Sequence, residues 1–197
     1  MAIKEILITV FYLSGINSVG FDAQGISKIQ PCQWYEPVQK ATGVKVRIDK
    51  FYRRRHFAPE LQRLEDWHKL SYRTFAWMQR QKAKGIRIAF LPPLVDPLGT
   101  RYMAGMAQLC RPLNGLAVVN VQETRSNGLD AIYPSTVVAT HELAHVVGAE
   151  HLDDVPNIMH SSAISYAVQG KLELLKKSKQ QMKNCLKRNG FYKRKAK

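Results

Sequence analysis

The sequence predicts an α+β fold with an α/β-like N-terminal part. A twisted, mixed five-stranded sheet with backing helices is followed by a small C-terminal part that ends in a helix. Three observations support this: strand-like and helix-like stretches alternate over the first ninety residues, two later strands have hairpin-like spacing, and the last apolar residues have helical spacing. A chain of 197 residues that is 45% hydrophobic can form one domain with a substantial core.

The first predicted strand is the apolar run from Ile6 to Leu13. A continuous apolar run of this length is typical of a strand buried on both faces. The same run, preceded by Lys4, could instead be the apolar part of a short signal peptide. Glu5 and the lack of a small-x-small cleavage site directly after the run favour the strand.

Two helices are expected between the first three strands. Helical spacing within residues 26–42 is limited by Pro31 and Pro37 to the part beyond one of them, and a long amphipathic helix is predicted from Pro59 to about Ala83. The resulting order, strand, helix, strand, helix, strand, predicts right-handed crossovers and a mainly parallel sheet. The second and third strands are expected at residues 44–48 and 86–90.

Two more strands are expected at residues 103–109 and 116–121, and their hairpin-like spacing predicts that one is antiparallel to the rest. The next helix is predicted to begin at Pro134-Ser135, with Ser135 as its N-cap. A last helix is indicated by the helical spacing of Leu172, Leu175, Met182 and Leu186.

Positive charge is concentrated near the C-terminus. Residues 171–197 contain eleven Lys or Arg and one acid, a net +10 that leaves only +5 of the formal +15 for the other residues. Such a segment could attract polyanions by a salt-dependent force, or it could be a solvated helix face and a disordered end. We expect one domain over residues 1–189, divided near residue 148, and a basic tail over 190–197. No apolar stretch is long enough to predict a membrane span.

The most informative motif is His141-Glu142-x-x-His145-x-x-Gly148-x-x-His151. Residues four apart lie on one face of a helix, so the first two imidazoles can share one ion. Gly148 can take the positive φ that ends a helix, which allows His151 to approach the same ion. Three nitrogen ligands leave one tetrahedral position open, as a catalytic zinc requires. Glu142 is the candidate general base.

Asn157-Ile158-Met159-His160 follows the motif. Together these segments resemble the metzincin zinc peptidases, in which a methionine turn follows the metal motif. The resemblance implies a metzincin fold over nearly the whole chain, Zn²⁺ as cofactor and Met159 as an apolar floor under the imidazoles. It also implies that residues 161–166, including Ser161 and Tyr166, line the pocket for the side chain after the cleaved bond.

Within that clan the chain is most similar to the adamalysin or reprolysin group. The similarity implies that Gly105, Met106, Ala107 and Gln108 belong to an antiparallel edge strand that binds an extended substrate, and that Cys110 is bridged to Cys185. Cys32 would then be left over. The chain departs from the group at Leu152, where adamalysins have an acidic residue, and archaemetzincin-like cysteines after His151 are missing. With the bridge the protein is expected to be secreted, and without it cytoplasmic.

The resemblance implies a monomeric zinc-dependent endopeptidase that acts on extended polypeptide, with Glu142 as general base. A second hypothesis is a basic protein that binds polyanions through its C-terminal tail and has a vestigial or latent metal site.

Overall fold

The structure is a computed structural model that describes residues 5–13, 34–53, 67–91, 105–120, 132–153, 157–160 and 173–192. The described part of the chain contains five strands: β1 (Ile6–Tyr12), β2 (Val46–Arg53), β3 (Ile86–Leu91), β4 (Gly105–Ala107) and β5 (Leu116–Asn120). Its helices are α1 (Glu36–Thr42), α2 (Trp67–Arg80), α3 (Ile132–Val147) and α4 (Lys176–Arg188).

The strands form one mixed sheet in the order β2-β1-β3-β5-β4. Parallel pairing joins β1 to β2, β1 to β3 and β3 to β5, whereas β4 runs antiparallel to β5. The α+β fold class, the mixed five-stranded sheet and the single antiparallel strand are therefore confirmed. β1 has a paired strand on each side, and helices cover both faces of the sheet, which explains its apolar sequence.

Alternating residues of the strands enter two apolar clusters, one on each face of the sheet. Ile6, Ile8 and Val10 belong to the cluster that also contains residues of α1, α3 and α4. Phe11 and Leu13 belong to the other cluster, which contains residues of α2. The metal motif on α3 and the helix α2 therefore lie on opposite faces of the sheet.

The structure corrects the predicted bounds of several elements. The alternation of apolar and polar residues in β2 stops near residue 48, where the strand was predicted to end. The strand continues to Arg53, because it pairs with the whole length of β1. The prediction that Ser135 caps the metal helix is wrong, since α3 already begins at Ile132. Pro134 is tolerated in the first turn, where backbone N–H groups have no partner within the helix.

Other corrections are smaller. β4 ends at Ala107 and not at residue 109, and α4 begins at Lys176, after Leu175. Residues 103, 104 and 121 of the two predicted strands lie outside the described residues. Of the predicted helix from 59 to 83, residues 59–66 lie outside the described residues, and α2 ends at Arg80.

The C-terminal helix shares a core with the rest of the fold. Met182, Leu186 and Phe191 are buried in the same cluster as Val38 of α1. The hydroxyl of Tyr192 donates a hydrogen bond to the Thr42 carbonyl at 2.8 Å. Packing of the C-terminal segment against the rest of the fold therefore includes Phe191 and Tyr192. None of the helices in the described part of the chain has the length and apolarity needed to span a bilayer.

Candidate metal centre

Helix α3 carries the first two histidines of the motif one turn apart. The Nε2 atoms of His141 and His145 lie 3.0 Å from each other, and their ring planes are inclined by 82°. This arrangement follows from the four-residue spacing, which places both side chains on one face of the helix.

Gly148 ends the helix and redirects the chain. Its φ of +111° is accessible to glycine, and two hydrogen bonds complete the turn: Ala149 N–H to the Ala144 carbonyl and Gly148 N–H to the His145 carbonyl, both 2.8 Å. This is the Schellman pattern of helix C-termini. The prediction of a positive φ at Gly148 is confirmed.

After this turn, His151 joins the other two histidines. Its Nε2 atom lies 3.0 Å from that of His141 and 3.1 Å from that of His145. Within the described residues, no fourth His, Cys, Asp or Glu belongs to this group.

Backbone carbonyls fix the orientation of two of the rings. His141 Nδ1 lies 2.6 Å from the Ile158 carbonyl and His145 Nδ1 lies 2.7 Å from the Ala149 carbonyl. Because a carbonyl can only accept, each Nδ1 carries the proton, and in the neutral ring Nε2 presents a lone pair. The short contact between the two Nε2 atoms is therefore a convergence of lone pairs, which a cation stabilises.

Burial keeps these imidazoles neutral. Burial, together with a smaller effect of the neighbouring imidazoles, lowers the pKa of His141 to about 3 and that of His145 to about 4. Neutral imidazole is the form that coordinates metals.

The dimensions of the group fit Zn²⁺. Nitrogen ligands at about 2.0–2.1 Å in tetrahedral positions lie about 3.3–3.4 Å from one another. The observed separations of 3.0–3.1 Å are within a few tenths of an ångström of this value. A set of three imidazoles is also a donor set that zinc prefers.

Glu142 lies between the first two histidines in sequence and contacts the edge strand. The residue is 5% exposed, and burial raises the pKa of its carboxyl to about 8. A Cβ atom added to Gly105 would lie 2.5 Å from Glu142 Oε1 and 2.7 Å from its Cδ. The glutamate side chain therefore occupies the space that a side chain at position 105 would need.

The segment 157–160 supports the site through buried side chains and hydrogen bonds. Met159 is fully buried, and its backbone N–H donates to Asn157 Oδ1 at 3.0 Å. Ile158, which lies between Asn157 and Met159, supplies the carbonyl that holds the His141 ring.

Asn157 was not identified as a site residue from the sequence, although it is fully buried. A signal was present, because asparagine side chains often accept a hydrogen bond from the backbone two residues on.

The turn that follows the edge strand is hydrogen-bonded to the C-terminal end of α3. Cys110 N–H donates to the His145 carbonyl at 3.0 Å, and Arg111 N–H donates to the Val146 carbonyl at 2.8 Å. A disulfide joins Cys110 to Cys185 of α4, with the Cα atoms 5.8 Å apart. Gly148 packs against Cys185, so this glycine is required both by its φ and by the closeness of α4.

Several predicted residues lie outside the described residues: Ser161, Tyr166, Cys32 and the end of the basic tail, 193–197. Of the predicted substrate-binding residues, Gly105, Met106 and Ala107 form β4, and Gln108 directly follows it.

Comparisons of the whole fold find similar solved structures. An archaemetzincin from Methanopyrus kandleri is 17% identical, with a TM-score of 0.59, and the alignment covers 91% of this chain and 96% of that one. A zinc-dependent peptidase from Methanocorpusculum labreanum is 16% identical, with a TM-score of 0.58, and 89% of this chain and 99% of that one are covered. An archaemetzincin from Archaeoglobus fulgidus is 16% identical, with a TM-score of 0.52 and coverage of 89% and 99%.

No protein-family model and no curated protein matches this sequence. At 16–17% identity the structural likeness shows a shared fold. The structures named above include two archaemetzincins, so these comparisons do not support the adamalysin group in particular. The chain has the fold of these zinc peptidases and, in the same fold, three histidines arranged to hold one metal ion.

Proposed function

We propose that this protein is a zinc-dependent peptidase of the metzincin type that cleaves extended polypeptide. The observation that carries the proposal is the convergence of three Nε2 atoms at separations of 3.0–3.1 Å beside a buried glutamate. The likeness in fold to a solved zinc-dependent peptidase supports it. The converging nitrogens of His141 and His145, which are buried or partly buried and present lone pairs to each other, are unfavourable without a cation.

His141, His145 and His151 hold the ion in this proposal. When bound, Zn²⁺ supplies Lewis acidity that lowers the pKa of water and polarises the scissile carbonyl. Glu142 accepts a proton from the attacking water as the C–O bond forms. It then gives that proton to the leaving nitrogen as the C–N bond breaks, so that the products are a carboxyl and an amine. Met159 is the apolar floor below the rings.

The outer edge of β4 is suited to bind the substrate backbone. Gln108 N–H donates to the Leu116 carbonyl of β5 at 2.9 Å, so the backbone groups of residue 108 point towards β5. Because this direction alternates along an antiparallel strand, Gly105 and Ala107 direct their N–H and C=O groups away from β5. No strand among the described residues pairs with that side of β4. An extended polypeptide can therefore add there as a further strand.

The first test combines metal analysis with cleavage of an unfolded protein, with and without a chelator. The purified protein should contain zinc, and the chelator should abolish cleavage. The Glu142→Ala variant should retain zinc and lose about 10²–10⁴-fold in kcat.

Glu150→Ala is the matched control, because Glu150 is an exposed glutamate at an unspecified position of the motif, and its carboxylate accepts a hydrogen bond from Gln181. Its activity should stay near that of the parent protein. Full activity in Glu142→Ala would exclude this residue as the base.

A second candidate function is favoured by the exposed face of α4. Six basic residues and no acid lie on this helix, and all six are exposed: Lys176, Lys177, Lys179, Lys183, Lys187 and Arg188. Such a face can bind polyanions by releasing their counterions.

Replacing Lys179, Lys183 and Lys187 together by glutamine tests this function. Affinity for heparin, used as a model polyanion, should fall, and so should its dependence on salt. Peptidase activity should not change. Unchanged heparin affinity in the triple variant would exclude the α4 face as the binding surface.

A further inference from the structure

The free edge of β4 is bordered by a groove on the sheet face opposite the metal. The groove has a volume of about 500 Å³ and is lined by Tyr72, Phe75, Ala76 and Gln79 of α2 and by residues 106–108. Its size falls within the range of about 300–1,000 Å³ that is usual for ligand clefts.

Alternation along β4 separates the groove from the metal site. Gly105 contacts Glu142, and Ala107 packs against the cluster that contains α3. Met106, between them, packs against the cluster that contains α2. A strand added to the outer edge of β4 continues the same pleat, so its side chains also point alternately to the two faces.

The chemistry of the groove fits an apolar side chain. Tyr72 is 64% exposed, the largest exposed fraction among the exposed large hydrophobic residues of the described chain. Phe75, Ala76 and Met106 line the same groove and supply apolar surface, and Gln79 and Gln108 are its polar lining residues. An exposed aromatic ring at an open strand edge can pack against an aromatic or long aliphatic side chain.

We propose that this groove is a specificity subsite, which binds an aromatic or long aliphatic side chain of a polypeptide paired with β4. The inference rests on the proposed peptidase function. The side chains bound here alternate in the substrate with those that face the metal, so the preference falls on every second position near the cleaved bond. Recognition on the α2 side is therefore separate from the chemistry on the α3 side.

Cleavage-site mapping tests the subsite. The zinc-loaded full chain is incubated with an unfolded, alkylated protein of known sequence, and the cleavage products are identified by mass spectrometry. The parent protein should favour aromatic or long aliphatic residues at one set of alternating positions. Tyr72→Ala should reduce that preference about 3- to 10-fold, the range expected for the loss of one aromatic contact.

Two matched variants make the result specific. Tyr72→Phe should retain the preference, because the ring remains. Tyr52→Ala should also retain it, because Tyr52 is an exposed tyrosine of β2, at the opposite edge of the sheet. An unchanged preference in Tyr72→Ala, or an equal loss in Tyr52→Ala, would overturn the proposal.

A binding measurement separates failure of the subsite from failure of the peptidase function. In the Glu142→Ala background, binding of the same labelled, unfolded protein is followed by fluorescence anisotropy, which does not depend on hydrolysis. Adding Tyr72→Ala should weaken binding about 3- to 10-fold. Weaker binding together with no hydrolysis by the parent protein would retain the groove and reject the peptidase. Absent or unchanged binding would reject the groove.

Discussion

The two faces of the sheet bury different kinds of polar groups. On the α3 side, His141 and Glu142 are ionisable and buried, and His141 is held by a carbonyl seventeen residues away. On the α2 side, the buried polar groups of the helix are the small hydroxyls of Ser71 and Thr74. Thr74 donates to the Leu70 carbonyl of its own helix at 2.7 Å.

This difference indicates that the two faces have separate functions. Burying an ionisable group lowers the stability of the fold unless another part of the chain, or a ligand, provides a partner for it. The α3 side has such partners in the turn after Gly148 and in the segment 157–160. The α2 side is mainly apolar packing, and changes there should affect stability before they affect the metal.

Loss of a metal ligand should give the largest effect on the α3 side. His145→Ala removes one of three converging nitrogens and leaves two, too few for a stable zinc site. We expect the variant to lose bound zinc and measurable peptidase activity, which elemental analysis and the cleavage assay would show. Retention of one zinc per chain would contradict the three-histidine centre.

A cavity on the α2 side should instead lower stability. Met78 is fully buried in the cluster of α2 that also contains Phe11 and Leu116. Met78→Ala should lower the free energy of unfolding by about 2–5 kcal/mol. Zinc affinity of the folded protein should not change. Denaturant unfolding measures the free energy of unfolding, and zinc titration measures the affinity for zinc. A loss of zinc affinity as large as the loss of stability would contradict the distinction between the two faces.

The contact between Gly105 and Glu142 gives a sharper test at the sheet edge. In Gly105→Ala the new methyl group must displace the carboxylate, and misplacement of a catalytic group by about 1 Å can cost about 10²-fold in rate. We expect kcat to fall by about that factor while zinc stays bound.

A thermodynamic cycle provides the control for this contact. Gly105→Ala should destabilise the parent protein but not the Glu142→Ala variant, in which the colliding atoms are absent. Equal destabilisation in both backgrounds would show that Gly105 is needed for the strand and not for the position of Glu142.

Asn157 should have the smallest effect, because it acts through Ile158. Its side chain accepts from Met159 N–H, and Ile158 then holds the His141 ring. Asn157→Ala should weaken zinc binding about 10- to 100-fold, as is usual when a partner of a metal ligand is removed. Competition with a chelator of known affinity measures this. Unchanged zinc affinity would show that Asn157 has no part in orienting the ligand.

Elements with a strong local pattern were predicted well from the sequence. The strand predicted over residues 6–13 is β1, which ends one residue earlier, at Tyr12. The antiparallel pairing of β4 with β5 was predicted from their hairpin-like spacing. The start of α3 and the end of β2 were not predicted correctly, because contacts with distant strands and helices decide how far an element continues.

The sequence by itself determined the local geometry of the metal centre. Its ligands lie within eleven residues, and the helical repeat and the turn at Gly148 bring the three side chains to one place. Only the tertiary structure decided that Gly105 touches Glu142, that Ile158 holds His141, and that α2 forms a groove beside β4. These contacts join residues far apart in sequence, and their partners are set by how the sheet and helices pack together, which no local spacing specifies.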